Sequence, residues 1–157
     1  DDRFTGAYHW VNHLQFNPSA TRFVFLHRWR TNDLAFTTRM YTAKPDGSDL
    51  RLHLDGGSVS HFDWRDDDTL LAWATPSKEL GRHFFLVDVN GKPPAKFAAD
   101  TLTVDGHCSY SPDRRWVLND TYPDRDRKQT LMLVDPATGR RFDLNRFHSP
   151  PAFTGPV

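Results

Sequence analysis

Three stretches decide the fold: His13-Leu14-Gln15-Phe16-Asn17-Pro18, His61-Phe62-Asp63-Trp64-Arg65-Asp66 and His107-Cys108-Ser109-Tyr110-Ser111-Pro112. Their histidines are 48 and 46 residues apart, and an aromatic ring (Phe16, Trp64 or Tyr110) follows each three residues later. A polar turn then leads into an apolar run: Phe23-Val24-Phe25-Leu26, Leu70-Leu71-Ala72-Trp73 and Trp116-Val117-Leu118. A third run comes next, Met40-Tyr41-Thr42-Ala43, Phe84-Phe85-Leu86-Val87 or Leu131-Met132-Leu133-Val134. It ends in Asp46-Gly47, Asn90-Gly91 or Asp135-Pro136-Ala137-Thr138-Gly139, and the glycines supply the positive φ that tight hairpins require. A weaker fourth run closes each unit: Leu50-Arg51-Leu52-His53-Leu54, Lys96-Phe97-Ala98-Ala99 and Arg141-Phe142-Asp143-Leu144.

Self-similarity at a fixed period means that one supersecondary unit is repeated. No segment keeps a helical apolar period, and turn residues recur too often to leave room for helices. Four short antiparallel strands per unit therefore predict an all-β chain of three β-propeller blades, with a β-sandwich as the alternative. Residues 1–157 are expected to form a single partial propeller domain, with blades at about 9–56, 57–101 and 102–148. Propeller rings close with roughly four to eight blades. Three predict part of a larger ring, completed by further blades or by a second copy. Residues 1–8 read as a connection arriving from an earlier blade, and residues 149–157, with three prolines, as one leaving for the next.

Composition narrows the function classes. At 157 residues one domain with a real core is expected. Twenty Lys+Arg balance twenty Asp+Glu, which removes the global attraction that indiscriminate nucleic-acid or anionic-membrane binding relies on. Neither is an expected partner. The single cysteine, Cys108, cannot form an internal disulfide or a four-thiolate zinc site. No apolar run is long enough to span a bilayer, and the first residues lack an initiator Met and an apolar signal core. A soluble chain, trimmed by processing or cut from a longer one, is expected; its compartment, bacterial cytoplasm or periplasm, stays open. Mean hydropathy is −0.66 while twelve Phe and five Trp are present, so large rings must supply the core. Arg outnumbers Lys 15 to 5, which reflects either codon usage or a need for the planar fork that grips carboxylates.

The repeat also places the candidate site. The innermost strand of a blade lines the channel, so His13, His61 and His107, each read as opening such a strand, should converge near the axis. Converging neutral imidazoles suit a divalent transition metal or a catalytic centre; a repeat-wide structural histidine is the other reading. The loops after the second strands, residues 27–33, 75–79 and 121–127, are expected on the same face, and His148 should return to it. Arg28, Arg30 and Arg125 could then bind an anionic ligand such as a uronate, with Trp29 and Tyr122 stacking on sugar rings and His27 beside them. Solvated charge paired with Asp33, Asp124 and Asp126 is the alternative. Asp66-Asp67-Asp68 reads as turn chemistry, and Cys108 as a buried core thiol.

The Ser111-Pro112-Asp113-Arg114-Arg115-Trp116 turn and the Leu133 to Gly139 strand-turn resemble those of TolB-type, WD40-like propellers. Within that group the His-opened inner strands, such as His61-Phe62-Asp63-Trp64, resemble the oligogalacturonate lyase family. The resemblance implies a seven-bladed propeller that cleaves short uronic-acid oligomers by β-elimination, using a histidine base, an arginine and a manganese ion held mainly by histidines. It implies that His13 takes the place of the base and that His61 and His148 take those of metal ligands. His107 would be a further ligand or substrate contact, and Arg28 would stand in for an arginine that the family draws from another blade. The family's ligand cluster also contains a Gln and a second His that residues 140–146 lack. The expected activity is thus that of a carbohydrate-active lyase on acidic oligosaccharides, assisted by a divalent metal. Alternatives are a non-catalytic TolB-like propeller that binds a protein or glycan, or the propeller cap of a serine peptidase.

Overall fold

The structure, a computed structural model, describes residues 4–31 and 35–153. Twelve strands form three four-stranded antiparallel sheets, and no α-helix occurs among the described residues. The first blade comprises β1 (Ala7–Phe16), β2 (Phe23–Thr31), β3 (Thr37–Ala43) and β4 (Arg51–Gly57). The second comprises β5 (Val59–Trp64), β6 (Thr69–Ala74), β7 (His83–Asp88) and β8 (Ala95–Lys96). The third comprises β9 (Ser109–Tyr110), β10 (Val117–Asn119), β11 (Lys128–Val134) and β12 (Arg141–His148). Strands neighbour one another in chain order within each blade, and a single 3-10 turn, Pro151–Phe153, follows the last.

The middle blade shows why these residues pack as they do. Every residue of β6 is buried, because the blade is covered on both sides. Leu70, Ala72 and Ala74 join Val24, Leu26 and Met40 of the first blade in one apolar cluster. Leu71 and Trp73, on the opposite face of the same strand, join Val117, Met132 and Val134 of the third blade in another. Alternation along a strand thus becomes two separate inter-blade cores, which is why β6 reads as an unbroken apolar run. Each fully buried large side chain contributes about 1.5–3 kcal/mol, and Trp64, Phe84 and Phe85 are the largest of them.

The turns follow the chemistry expected of them. Gly47, Gly91 and Gly139 close hairpins with φ of 81°, 95° and 69°. Asp66 accepts the Asp68 amide at 3.0 Å, and Asp67 accepts the amide of Ser19 from the first blade at 2.9 Å. That acidic triplet is turn and inter-blade chemistry. Cys108 is buried in the second cluster, and desolvation together with the nearby Asp63 pushes its thiol far up, which makes it a core residue.

Several boundaries differ from expectation. β1 already begins at Ala7 and β5 at Val59, so His13 and His61 lie inside their strands, and only His107 precedes its own. The long β1 draws β2 with it: Ala7 pairs with Thr31, Tyr8 with Arg30 and Trp10 with Arg28. Residues 27–31 are therefore strand, where a polar loop was expected. β12 runs through His148, and β8 is reduced to two residues.

Candidate functional site

The three repeat histidines do meet. Inner strands β1, β5 and β9 stand side by side, and the rings of His13, His61 and His107 form a row with centroid separations of 6.3 Å and 4.2 Å. They line a cavity of about 390 Å³ with Leu14, Gln15, Phe62 and Cys108. Tyr122, just beyond β10, lies with its ring 6.0 Å from both His61 and His107.

The row is held differently at its two ends. His13 occupies the irregular register between Asn12 and Gln15, where its backbone takes φ of 53°, a left-handed conformation that costs a non-glycine residue energy. The bulge aims the ring along the row toward His61 and Phe62. Partial desolvation first, then the positive charge of Arg28 and the electrostatic influence of the neighbouring His61 and His107 rings, hold His13 below the ordinary imidazole value. His61 and His107, by contrast, each meet a carboxylate. His61 Nδ1 lies 3.0 Å from Asp105 Oδ1, whose other oxygen accepts the Ser60 hydroxyl at 2.6 Å. His107 Nδ1 lies 3.1 Å from both oxygens of Asp120, which also accepts the His107 amide at 2.7 Å.

Arg28 lies in β2 on the face that looks toward the second blade. It is buried, donates from NH2 to Val59 O at 3.1 Å, and stacks 4.8 Å above the Phe36 ring. Its charge depresses His13 and also acts on Tyr122, whose phenol is raised by burial and by Asp105 and Asp120. Among the described residues no carboxylate pairs with Arg28, and its Nε is buried without a partner. A buried guanidinium without a counter-ion is an unmet demand for an anion.

Other expected site residues lie elsewhere. Strand alternation puts His27 and Trp29 on the opposite face of β2 from Arg28. There His27 stacks on His9 at 5.2 Å, with a ring nitrogen contact of 3.0 Å, and Trp29 packs against Phe4 and Arg39. Arg30 is exposed near the end of β2, opposite Tyr8, and Arg125 is exposed in the turn that Asp124 organises. Asp124 pairs with Arg146, not with an arginine of the candidate site, and Asp33 lies outside the described residues. His148 ends β12, the outermost strand of its blade, across from Lys128. Three strand spacings of about 4.8 Å separate that strand from the channel side, roughly 14 Å in all, too far to share one ion with His61 and His107. Among the described residues His148 is not gathered with His61 and His107 into one ligand group.

Comparison with known proteins fixes the fold. The architecture is similar to that of an oligogalacturonate lyase in complex with manganese, with a TM-score of 0.63 over 90% of this chain and 14% sequence identity. These are β-propeller blades. The chain spans 43% of the length of that lyase. No protein family and no curated protein matches the sequence.

The donor chemistry can be tested against a divalent metal on the residues themselves. A carboxylate only accepts, so Asp105 and Asp120 hold the Nδ1–H of each ring, the arrangement typical of metal-ligating histidine. His61 and His107 thus suit such an ion. Among the described residues no group of three His, Cys, Asp or Glu is gathered closely enough to hold one alone, so ligand oxygens or water would complete the shell. Sequence reasoning missed Asp105 and Asp120. The available signals were that Asp105 stands two residues before His107 and that Asp120 immediately follows β10, the strand paired with β9.

Proposed function

We propose that these blades form the reactive wall of a propeller that binds acidic oligosaccharides and cleaves them by β-elimination. The observation that carries the reading is the buried Arg28, which among the described residues has no carboxylate partner, together with His13, whose pKa is lowered and which likewise meets no carboxylate among the described residues. A uronate carboxylate supplies the anion that Arg28 lacks. Its α carbon then faces a base whose lowered pKa leaves it unprotonated near neutrality. His13 takes the α proton, charge develops on the carboxylate under the Arg28 guanidinium, and the β carbon–oxygen bond breaks. The leaving oxygen is protonated by water or by the imidazolium, and the sugar keeps a conjugated double bond. Tyr122, beside His61 and His107, offers a ring for stacking on a sugar. A divalent cation such as manganese, held by His61 and His107, would withdraw charge from the same carboxylate when bound. Additional blades, from a longer chain or a second copy, would close the channel opposite this wall.

The test is incubation of the chain with oligogalacturonate, followed by absorbance of the unsaturated product. His13→Ala is expected to lose product about 10²–10⁴-fold while oligo-uronate binding is retained. Binding by the native chain without any unsaturated product would favour a glycan-binding propeller and overturn the lyase reading.

A further inference from the structure

Two of the three row histidines are clamped by acidic residues, and the clamps are built from different parts of the third repeat. Asp105 belongs to the segment leading into β9 and reaches back to the second blade, where it takes both His61 and Ser60 and accepts its own neighbour, the Gly106 amide, at 2.9 Å. Asp120 follows β10 and reaches sideways to His107 within the same blade. The approach is permitted by Gly106, since a Cβ there would lie 1.8 Å from the Asp120 carbonyl oxygen. His61 is nearly enclosed, with its side chain 13% exposed, and both rings line the cavity that His13 shares.

We propose that Asp105 and Asp120 are positioning residues that fix the Nδ1–H tautomer of His61 and His107, so that both rings offer an unprotonated Nε2 to the ligand, while His13, which meets no such clamp among the described residues, is left for proton transfer. The division of labour rests on the proposed function above, but its physical core does not. Free imidazole prefers the Nε2–H tautomer, and a fixed acceptor at Nδ1 reverses that preference. Ser60 and the backbone amides hold the carboxylates in turn, which fixes the acceptors that face Nδ1.

Nitrogen NMR of isotopically labelled histidine in the intact chain tests this directly, above the pH at which imidazole is charged. His61 and His107 are expected as Nδ1–H tautomers. Asp105→Ala should convert His61 alone and Asp120→Ala His107 alone, while Asp105→Asn and Asp120→Asn, which keep an accepting oxygen, should preserve the native tautomers. Titration with manganese(II) alone should show affinity falling about 10- to 100-fold in each alanine variant. Nε2–H tautomers in the native chain, or tautomers unchanged in correctly folded alanine variants, would overturn the inference. A native chain that binds no manganese(II) would remove the metal from the proposed function, and the tautomers would still decide the role of the two aspartates.

Discussion

The Asp63 carboxylate accepts the Gln15 side-chain amide of the preceding blade at 2.7 Å. Its second oxygen accepts the Tyr110 amide of the following blade, also at 2.7 Å. One half-buried carboxylate therefore ties all three inner strands together immediately beneath the histidine row. Gln15 and Asp63 hold the same place in their repeats, two residues after the histidine. Asp63→Ala would leave two donors without their acceptor in a partly dry position. It is expected to cost about 1–3 kcal/mol, read as a lower urea midpoint with unchanged slope. Asp63→Asn, which keeps one accepting oxygen, should lose less.

Gly106 is a second point where the backbone leaves no room. An alanine Cβ would sit 1.8 Å from Asp120 O and 3.0 Å from Asp120 Oδ1, so the segment before β9 must move off the aspartate. Gly106→Ala is expected to destabilise by about 1–3 kcal/mol and to break the hydrogen bond between the His107 amide and Asp120. Urea denaturation checks the first effect, and the His107 tautomer the second. An alanine variant as stable as the parent would show that the segment is less tightly seated than the structure has it.

Acid should weaken the fold through His53. This half-buried ring contacts the Thr42 hydroxyl at 2.8 Å, and Arg22 donates to the same hydroxyl at 3.0 Å. Desolvation first, then the charges of Arg22 and Arg51, lower its pKa from 6.5 to about 4. Between those values the unfolded chain binds a proton that the folded chain refuses, so stability rises with pH across the window and is lost as pH falls from 6.5 toward 4. Allowing for the solvent that reaches the ring, the effect is on the order of 1 kcal/mol. His53→Gln should flatten that part of a stability profile measured from urea midpoints at a series of pH values. A profile equally steep in the variant would place the acid sensitivity in other groups.

How much of this was legible in the sequence depends on which interactions are periodic. The histidine, aromatic and turn positions recur at the repeat spacing, so the blades and the meeting of His13, His61 and His107 could be read from identity and spacing alone. Arg28 was found for the wrong local reason: it was placed in a loop, whereas it is buried because the extended β1–β2 pairing turns it toward the second blade. The same pairing carries His27 and Trp29 to the other face, a consequence of strand alternation that a loop assignment conceals. Asp105 and Asp120 have no counterparts at their repeat positions: Asp105 aligns with Val11 and Val59. Nothing periodic marked them, and only the third dimension brings them to the rings.

Arg28 is the most direct test of ligand chemistry. Its guanidinium is held by Val59 O and by the Phe36 face, contacts that a lysine ammonium can partly replace, and the positive charge is kept. What lysine cannot reproduce is the planar fork that meets a carboxylate with two parallel hydrogen bonds. Arg28→Lys is therefore expected to fold normally by circular dichroism yet to bind oligogalacturonate about tenfold or more weakly, the equivalent of about 1.4 kcal/mol. Product formation should fall further than binding, because charge on the uronate grows as the α proton leaves. Calorimetric binding and initial rates measured on the same preparation separate the two losses. If binding and rate are both unchanged, Arg28 does not face the carboxylate, and the buried cation is balanced by some other group.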